Sequence, residues 1–140
     1  NDYGYVRDPA KAGDSRWVHR PFTDQAQIES RTDPTALTGR IFTRLLHLIN
    51  LRRALPALGA GLTTIFDTGN GHVLGYVRQH GGQRLLLLAN FSESKQTVAA
   101  SVLRIQGLAY HYQDLVAVEK ITLTGDLELG PLRFVWLAAE

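Results

Sequence analysis

A chain of 140 residues with 44% hydrophobic content is long enough for a domain with a real core and too apolar for a disordered tract. Its 15 basic and 13 acidic residues leave a formal charge of +2, and no Lys/Arg run makes a phosphate-binding stripe, so nucleic acid is not an expected partner. Cysteine is absent, which excludes disulfides and thiolate metal sites and fits a reducing compartment such as the cytoplasm, and no apolar run nears the roughly 20 residues of a membrane span.

Methionine is also absent and residue 1 is Asn. The sequence is therefore expected to be a piece of a longer protein, with any targeting signal upstream of it. Residues 1–33 are polar, carry Gly4, Pro9, Gly13 and Pro21, and hold no helical or alternating period. They read as one long loop. A structureless loop of that length is uncommon in a compact domain unless it is functional, which draws attention to "GDSRWVHRP" at 13–21.

The next stretch is the clearest helix. Asp33 can cap it, Pro34 suits a first turn and Pro56 stops it. Ile41, Phe42, Leu45, Leu46, Leu48 and Ile49 fill one arc at about 100° per residue, so the helix is expected to lie on a core. Arg40, Arg44 and His47 fall on the opposite, solvated side, and Arg52 and Arg53 sit where cations suit the helix dipole.

After residue 57 the period changes from helical to alternating. Strand-like runs appear at 62–66, 72–79, 83–91, 95–100, 109–115, 119–123, 126–129 and 132–138, with "DTGNG" and "HGGQ" as turns. Short strands at such close spacing predict a mainly β domain, an antiparallel sandwich. The run Leu85 to Leu88 predicts a central strand covered on both faces.

No self-sufficient catalytic set is present. Hydrolysis by paired carboxylates needs two acids facing each other, and Asp8, Asp14, Asp24, Glu29, Asp33, Glu119, Asp126 and Glu128 are scattered. The five histidines show no metal-ligand spacing, so no metal site is expected, and no nucleophile elbow or phosphate loop occurs. "GNG" at 69–71 reads as a hairpin turn, and "NFS" at 90–92 matches a glycosylation acceptor pattern at a strand end. Trp136 is expected in the core and Trp17 as an anchor of its loop. Tyr110 and Tyr112 share one face of a strand, where packing competes with stacking on a sugar.

"NDYGYVRDPAKAGDSRWVHRP", the helix "GRIFTRLLHLINLRR" and the strand "LLLLANFSE" together resemble the C-terminal end of amylosucrases and sucrose hydrolases, members of glycoside hydrolase family 13 in the α-amylase superfamily. The "SRW-x-HRP" motif is the specific part; a sandwich strand ending in "NFS" and the closing "RFVWL" are shared more widely. The resemblance implies that residues 1–56 are the last loop and eighth helix of a catalytic (β/α)8 barrel and 57–140 its C-terminal β-sandwich. It implies sucrose as substrate, an α-glucan as acceptor and the N-terminal barrel of the same protein as partner, with no cofactor.

The nucleophilic aspartate and acid/base glutamate would lie upstream, leaving this piece inactive alone. Glucosyl transfer and sucrose hydrolysis both remain open. What carries over from the family is Arg16, which would close the bottom of the sucrose pocket through an ion pair with an upstream aspartate. His19 and Arg20 would line the acceptor side or brace the loop, and Asp14 would orient Arg16 or cap the turn. The alternatives are a carbohydrate-binding module with Tyr110, Tyr112 or Trp136 as platform, and a purely structural β-sandwich.

Overall fold

A computed structural model of the chain describes residues 8–18 and 24–140, and the side chains of Trp17 and Val18 fall outside that description. The chain divides into two compact units, residues 1–46 and 47–140.

The described part of the leading segment is a string of short helical turns, where one structureless loop is expected from sequence. A 3-10 turn spans Pro9–Lys11, α1 Ser15–Val18, α2 Gln25–Glu29 and a second 3-10 turn Ser30–Thr32. Three of these four starts are pinned by the acid directly before them. Asp8 accepts from the Ala10 N–H at 3.2 Å, Asp14 from that of Arg16 at 3.0 Å and Asp24 from that of Ala26 at 2.9 Å. Such side-chain bonds let a polar segment order itself without a core.

Helix α3 runs Leu37–Ala54. It starts later than its sequence suggests because Asp33 caps a turn of its own. The Asp33 carboxylate accepts from the Thr35 N–H at 2.8 Å and from the Thr35 hydroxyl at 2.7 Å, and Pro34 lies inside that turn. Gly39 is buried, and a β-carbon there would collide with the Asp33 carbonyl oxygen. The expected burial of the apolar arc is not found. Ile41, Phe42, Leu45, Leu46 and Ile49 are all exposed, Leu45 by 54%. His47, assigned from sequence to the solvated side, is instead half-buried, with Nε2 3.2 Å from the Leu115 carbonyl. An apolar stripe needs a facing surface to be covered.

Helix α3 stops ahead of Pro56, as expected, and Pro56 then opens a second helix. It occupies the first turn of α4 (Pro56–Ala60), where its missing N–H costs nothing.

Eight strands follow: β1 Leu62–Phe66, β2 Val73–His80, β3 Gln83–Asn90, β4 Gln96–Val98, β5 His111–Asp114, β6 Glu119–Thr122, β7 Leu127–Leu129 and β8 Phe134–Ala139. Six form a sheet in the order β1-β2-β3-β8-β5-β6, and β4 pairs with β7 in a second. Every pairing is antiparallel. The two-residue turn between His80 and Gln83 uses Gly81 at φ +55°, a conformation glycine adopts without steric cost. Helix α5 (Ala100–Gly107), unmarked in the sequence reading, joins the second layer.

Side chains on β3 alternate between two cores. Leu86 and Leu88 join Val77, Val98, Leu103, Tyr112, Leu129, Val135 and Leu137 in the larger cluster, beneath β4, β7 and α5. Leu85 and Leu87 turn the other way and pack with Ala57 of α4, Tyr76, Trp136 and Ala138. All four leucines are at most 2% exposed, so β3 is covered on both faces as its sequence predicts. Burial of each contributes roughly 1.5–3 kcal/mol.

Side chains also tie α4 to the sheet. Gln83 accepts from the Ala57 N–H at 2.9 Å, and Arg78 donates to the Ala57 and Leu58 carbonyls at 2.9 and 3.1 Å. These bonds satisfy helix-end groups that would otherwise be orphaned.

Candidate functional site

The residues of "GDSRW" form one small hydrogen-bonded frame. Asp14 precedes α1, and its Oδ1 accepts from the Arg16 N–H at 3.0 Å and from Arg16 Nε at 3.1 Å. Its Oδ2 accepts from Arg16 Nη2 at 2.9 Å. The carboxylate thus caps the turn and holds the guanidinium by two parallel bonds, the geometry in which arginine and a carboxylate match best. The Arg16 side chain is 76% exposed, and its bond to Asp14 pushes its pKa above the usual guanidinium value. His19 and Arg20, the other candidates of this motif, lie outside the described residues.

The scattered acids have local structural work. Asp8 caps the first turn and pairs with Lys11 at 3.4 Å. Glu29 accepts from Gln25, Asp126 accepts from the Ala100 N–H at 3.0 Å, Glu128 pairs with Lys95 and Glu119 with Arg133. Asp114 is buried, and its Oδ1 accepts from the Val116 and Trp136 N–H groups at 3.0 and 3.2 Å. Among the described residues no group of three His, Asp or Glu could hold a metal ion, and no helix is long and apolar enough to cross a membrane.

The three aromatics weighed as a sugar platform separate. Tyr112 is 1% exposed, with its hydroxyl donating to the Ala109 carbonyl at 3.0 Å, so it cannot be a platform. The pair expected on one strand face is split because β5 begins at His111, after Tyr110. Tyr110 is exposed, with the Arg104 guanidinium 5.1 Å from its ring centroid. Trp136 is half-buried in the smaller core and meets Phe134 at 6.4 Å in a tilted ring contact. Its core placement holds in part, since one side opens on a depression of about 230 Å³ that it shares with Arg52, Tyr76 and Arg78.

A larger depression of about 490 Å³ lies at the β1–β2 connection, between Phe66, Asn70, His72 and Phe91. Its acid, Asp67, is engaged by the Gly69 N–H at 2.8 Å. "GNG" is the turn expected there. Asn90 of the "NFS" pattern is 3% exposed and saturated by hydrogen bonds, so its amide does not face a modifying enzyme.

Residues 65–138 match the family model of the amylosucrase C-terminal domain. Solved structures of larger proteins share the fold. An AmyP variant in complex with maltotriose is 21% identical and superposes with a TM-score of 0.64 over 77% of this chain and 22% of that one. A MutB variant in complex with the substrate sucrose is 22% identical, with a TM-score of 0.57 over 79% of this chain and 19% of that one. The α-glucosyl transfer enzyme XgtA is 20% identical, with a TM-score of 0.58 over 81% of this chain and 19% of that one. The chain thus spans about a fifth of the length of these enzymes.

Proposed function

Because the chain belongs to the family of the amylosucrase C-terminal domain, we propose that it works as the closing part of a sucrose-acting, retaining α-glucosyl enzyme. The observation that carries this reading is the family match over 65–138, joined to the "SRW-x-HRP" motif ahead of it. In this reading residues 1–56 complete a catalytic barrel, with α3 as its last helix, and 57–140 form the sandwich behind it. The exposed apolar stripe of α3 supports it, because a barrel helix buries such a stripe against its neighbours.

The chemistry follows from that placement. An upstream carboxylate attacks the anomeric carbon of the glucosyl unit, and fructose leaves with a proton from an upstream carboxylic acid. An α-glucan hydroxyl or water then takes the glucosyl group and returns its proton to that acid. The piece described here supplies neither carboxylate and is inactive alone. Its contribution is Arg16, on a loop at the barrel mouth, where substrates of such folds bind. Arg16 closes the pocket by gripping an upstream carboxylate, and His19 and Arg20 line the acceptor side or brace the loop.

The test is Arg16→Ala in the full-length enzyme. Without the ion pair that shapes the pocket the substrate is misplaced, so sucrose turnover is expected to fall about a hundredfold with the fold kept. A near-normal rate overturns the assignment.

A further inference from the structure

We infer that Asp14 is a positioning residue that presents the outer edge of the Arg16 guanidinium to the pocket, an inference that rests on the pocket role proposed for Arg16. A guanidinium carries five N–H donors in a planar fork. Asp14 engages the Nε–H and one Nη2–H, at 3.1 and 2.9 Å. Of the remaining three donors, one Nη1–H and one Nη2–H point outward side by side on the far edge, and the second Nη1–H faces the Cδ side. That edge is itself a two-pronged fork, able to take a second carboxylate end-on while Asp14 keeps the side.

The frame is built within the loop. Asp14 Oδ1 also accepts from the Arg16 backbone N–H at 3.0 Å, so one carboxylate fixes both the main chain and the tip of the same residue. The three bonds favour one orientation of the guanidinium, with its far edge turned away from Asp14. The pair is partly exposed, at 76% for Arg16 and 32% for Asp14, and ion pairs in water add little to folding. Its consequence therefore lies in aim, not in fold stability.

The experiment compares Asp14→Asn with Arg16→Lys, their double variant and Arg16→Ala in the full-length enzyme, reading kcat and KM for sucrose and the thermal midpoint. Asn at 14 keeps one acceptor oxygen but turns an N–H donor toward Nη2. Asp14→Asn is expected to lower kcat/KM about tenfold, mainly through KM, with the midpoint unchanged within about 2 °C. In the Arg16→Lys background the same change is expected to add less than twofold, because a lysine offers no fork to aim.

A crippled Arg16→Ala beside a near-normal Asp14→Asn overturns the positioning role and leaves the Arg16 reading standing. A loss from Asp14→Asn that is undiminished in the Arg16→Lys background, or a clear drop in midpoint, also overturns it, since either marks a structural role. A near-normal Arg16→Ala removes the Arg16 reading and the inference with it.

Discussion

The hydroxyl of Tyr112 stands where a β-carbon on Gly107 would have to go. The last residue of α5 and the second residue of β5 therefore share one volume, and only glycine at 107 leaves room for the phenol. Elsewhere in a helix, replacing Gly by Ala stabilises by roughly 0.5–1 kcal/mol. Here Gly107→Ala is expected to destabilise the 140-residue chain by about 1–3 kcal/mol, because the ring it strikes is 1% exposed and cannot swing away. Chemical denaturation gives the value, and a stabilised variant refutes the shared volume.

Tyr112→Phe removes a hydroxyl that donates to the Ala109 carbonyl at 3.0 Å and accepts from the Ala109 N–H at 3.2 Å. The expected cost is about 1–2 kcal/mol. Burial pushes the phenol above its ordinary pKa of 10.0. The unfolded chain then loses this proton first, so the native state holds more protons above pH 10. The stability it confers is complete below that pH and declines as pH rises toward the folded value. Denaturation midpoints across the alkaline range should fall less steeply in Tyr112→Phe than in the parent.

Asn90 fastens the two sheets together. Its amide donates to the carbonyls of Ser94 at 2.8 Å, Leu129 at 3.2 Å and Gly130 at 2.8 Å, and its oxygen accepts from the Ser92 N–H at 2.9 Å. Asn90→Ala strands these partners and is expected to cost about 2–4 kcal/mol in urea titrations. Asn90→Asp should be worse at neutral pH, since a carboxylate would face carbonyl oxygens, and should recover in part as pH falls through the carboxyl range. An Asn90→Asp chain as stable as the parent at pH 7 rules out that picture.

The stripe on α3 separates the chain from its longer context. Ile41→Lys and Leu45→Lys replace side chains that are 49% and 54% exposed. In the 140-residue chain both should leave the unfolding free energy within about 0.5 kcal/mol of the parent and raise solubility. In a full-length enzyme, where a barrel is proposed to cover the stripe, each should lower stability by about 2 kcal/mol or more. Equal, small effects in both settings contradict the proposed placement.

The strands were readable because period-two alternation and turn residues mark them. Leu85 to Leu88 announced a strand buried on both sides, and Gly81 its turn. Helix α4 was hidden because Pro56 both ends one helix and begins another. Helix α5 was hidden by its length; Ala100, Leu103 and Gly107 keep a helical spacing, but over too few turns to stand out between strands. The short turns of residues 8–35 had a signal that period-counting overlooks. Asp8, Asp14, Asp24 and Asp33 each accept from the backbone N–H two residues on, and Asp67, Asn70, Asn90 and Asp114 repeat the bond in the sandwich. The Asp14–Arg16 frame belongs to that set.

The six-stranded sheet ends differently at its two borders. Strand β6 carries Glu119 and Lys120, which pair with Arg133 and Glu140, and such charges discourage a newcomer from hydrogen-bonding alongside. Strand β1 reads "LTTIF", has no charge, and leaves Leu62 81% and Ile65 71% exposed. Strand β1 is therefore the less guarded border of this sheet, and Thr64→Lys would give it the kind of charge that discourages edge-to-edge pairing.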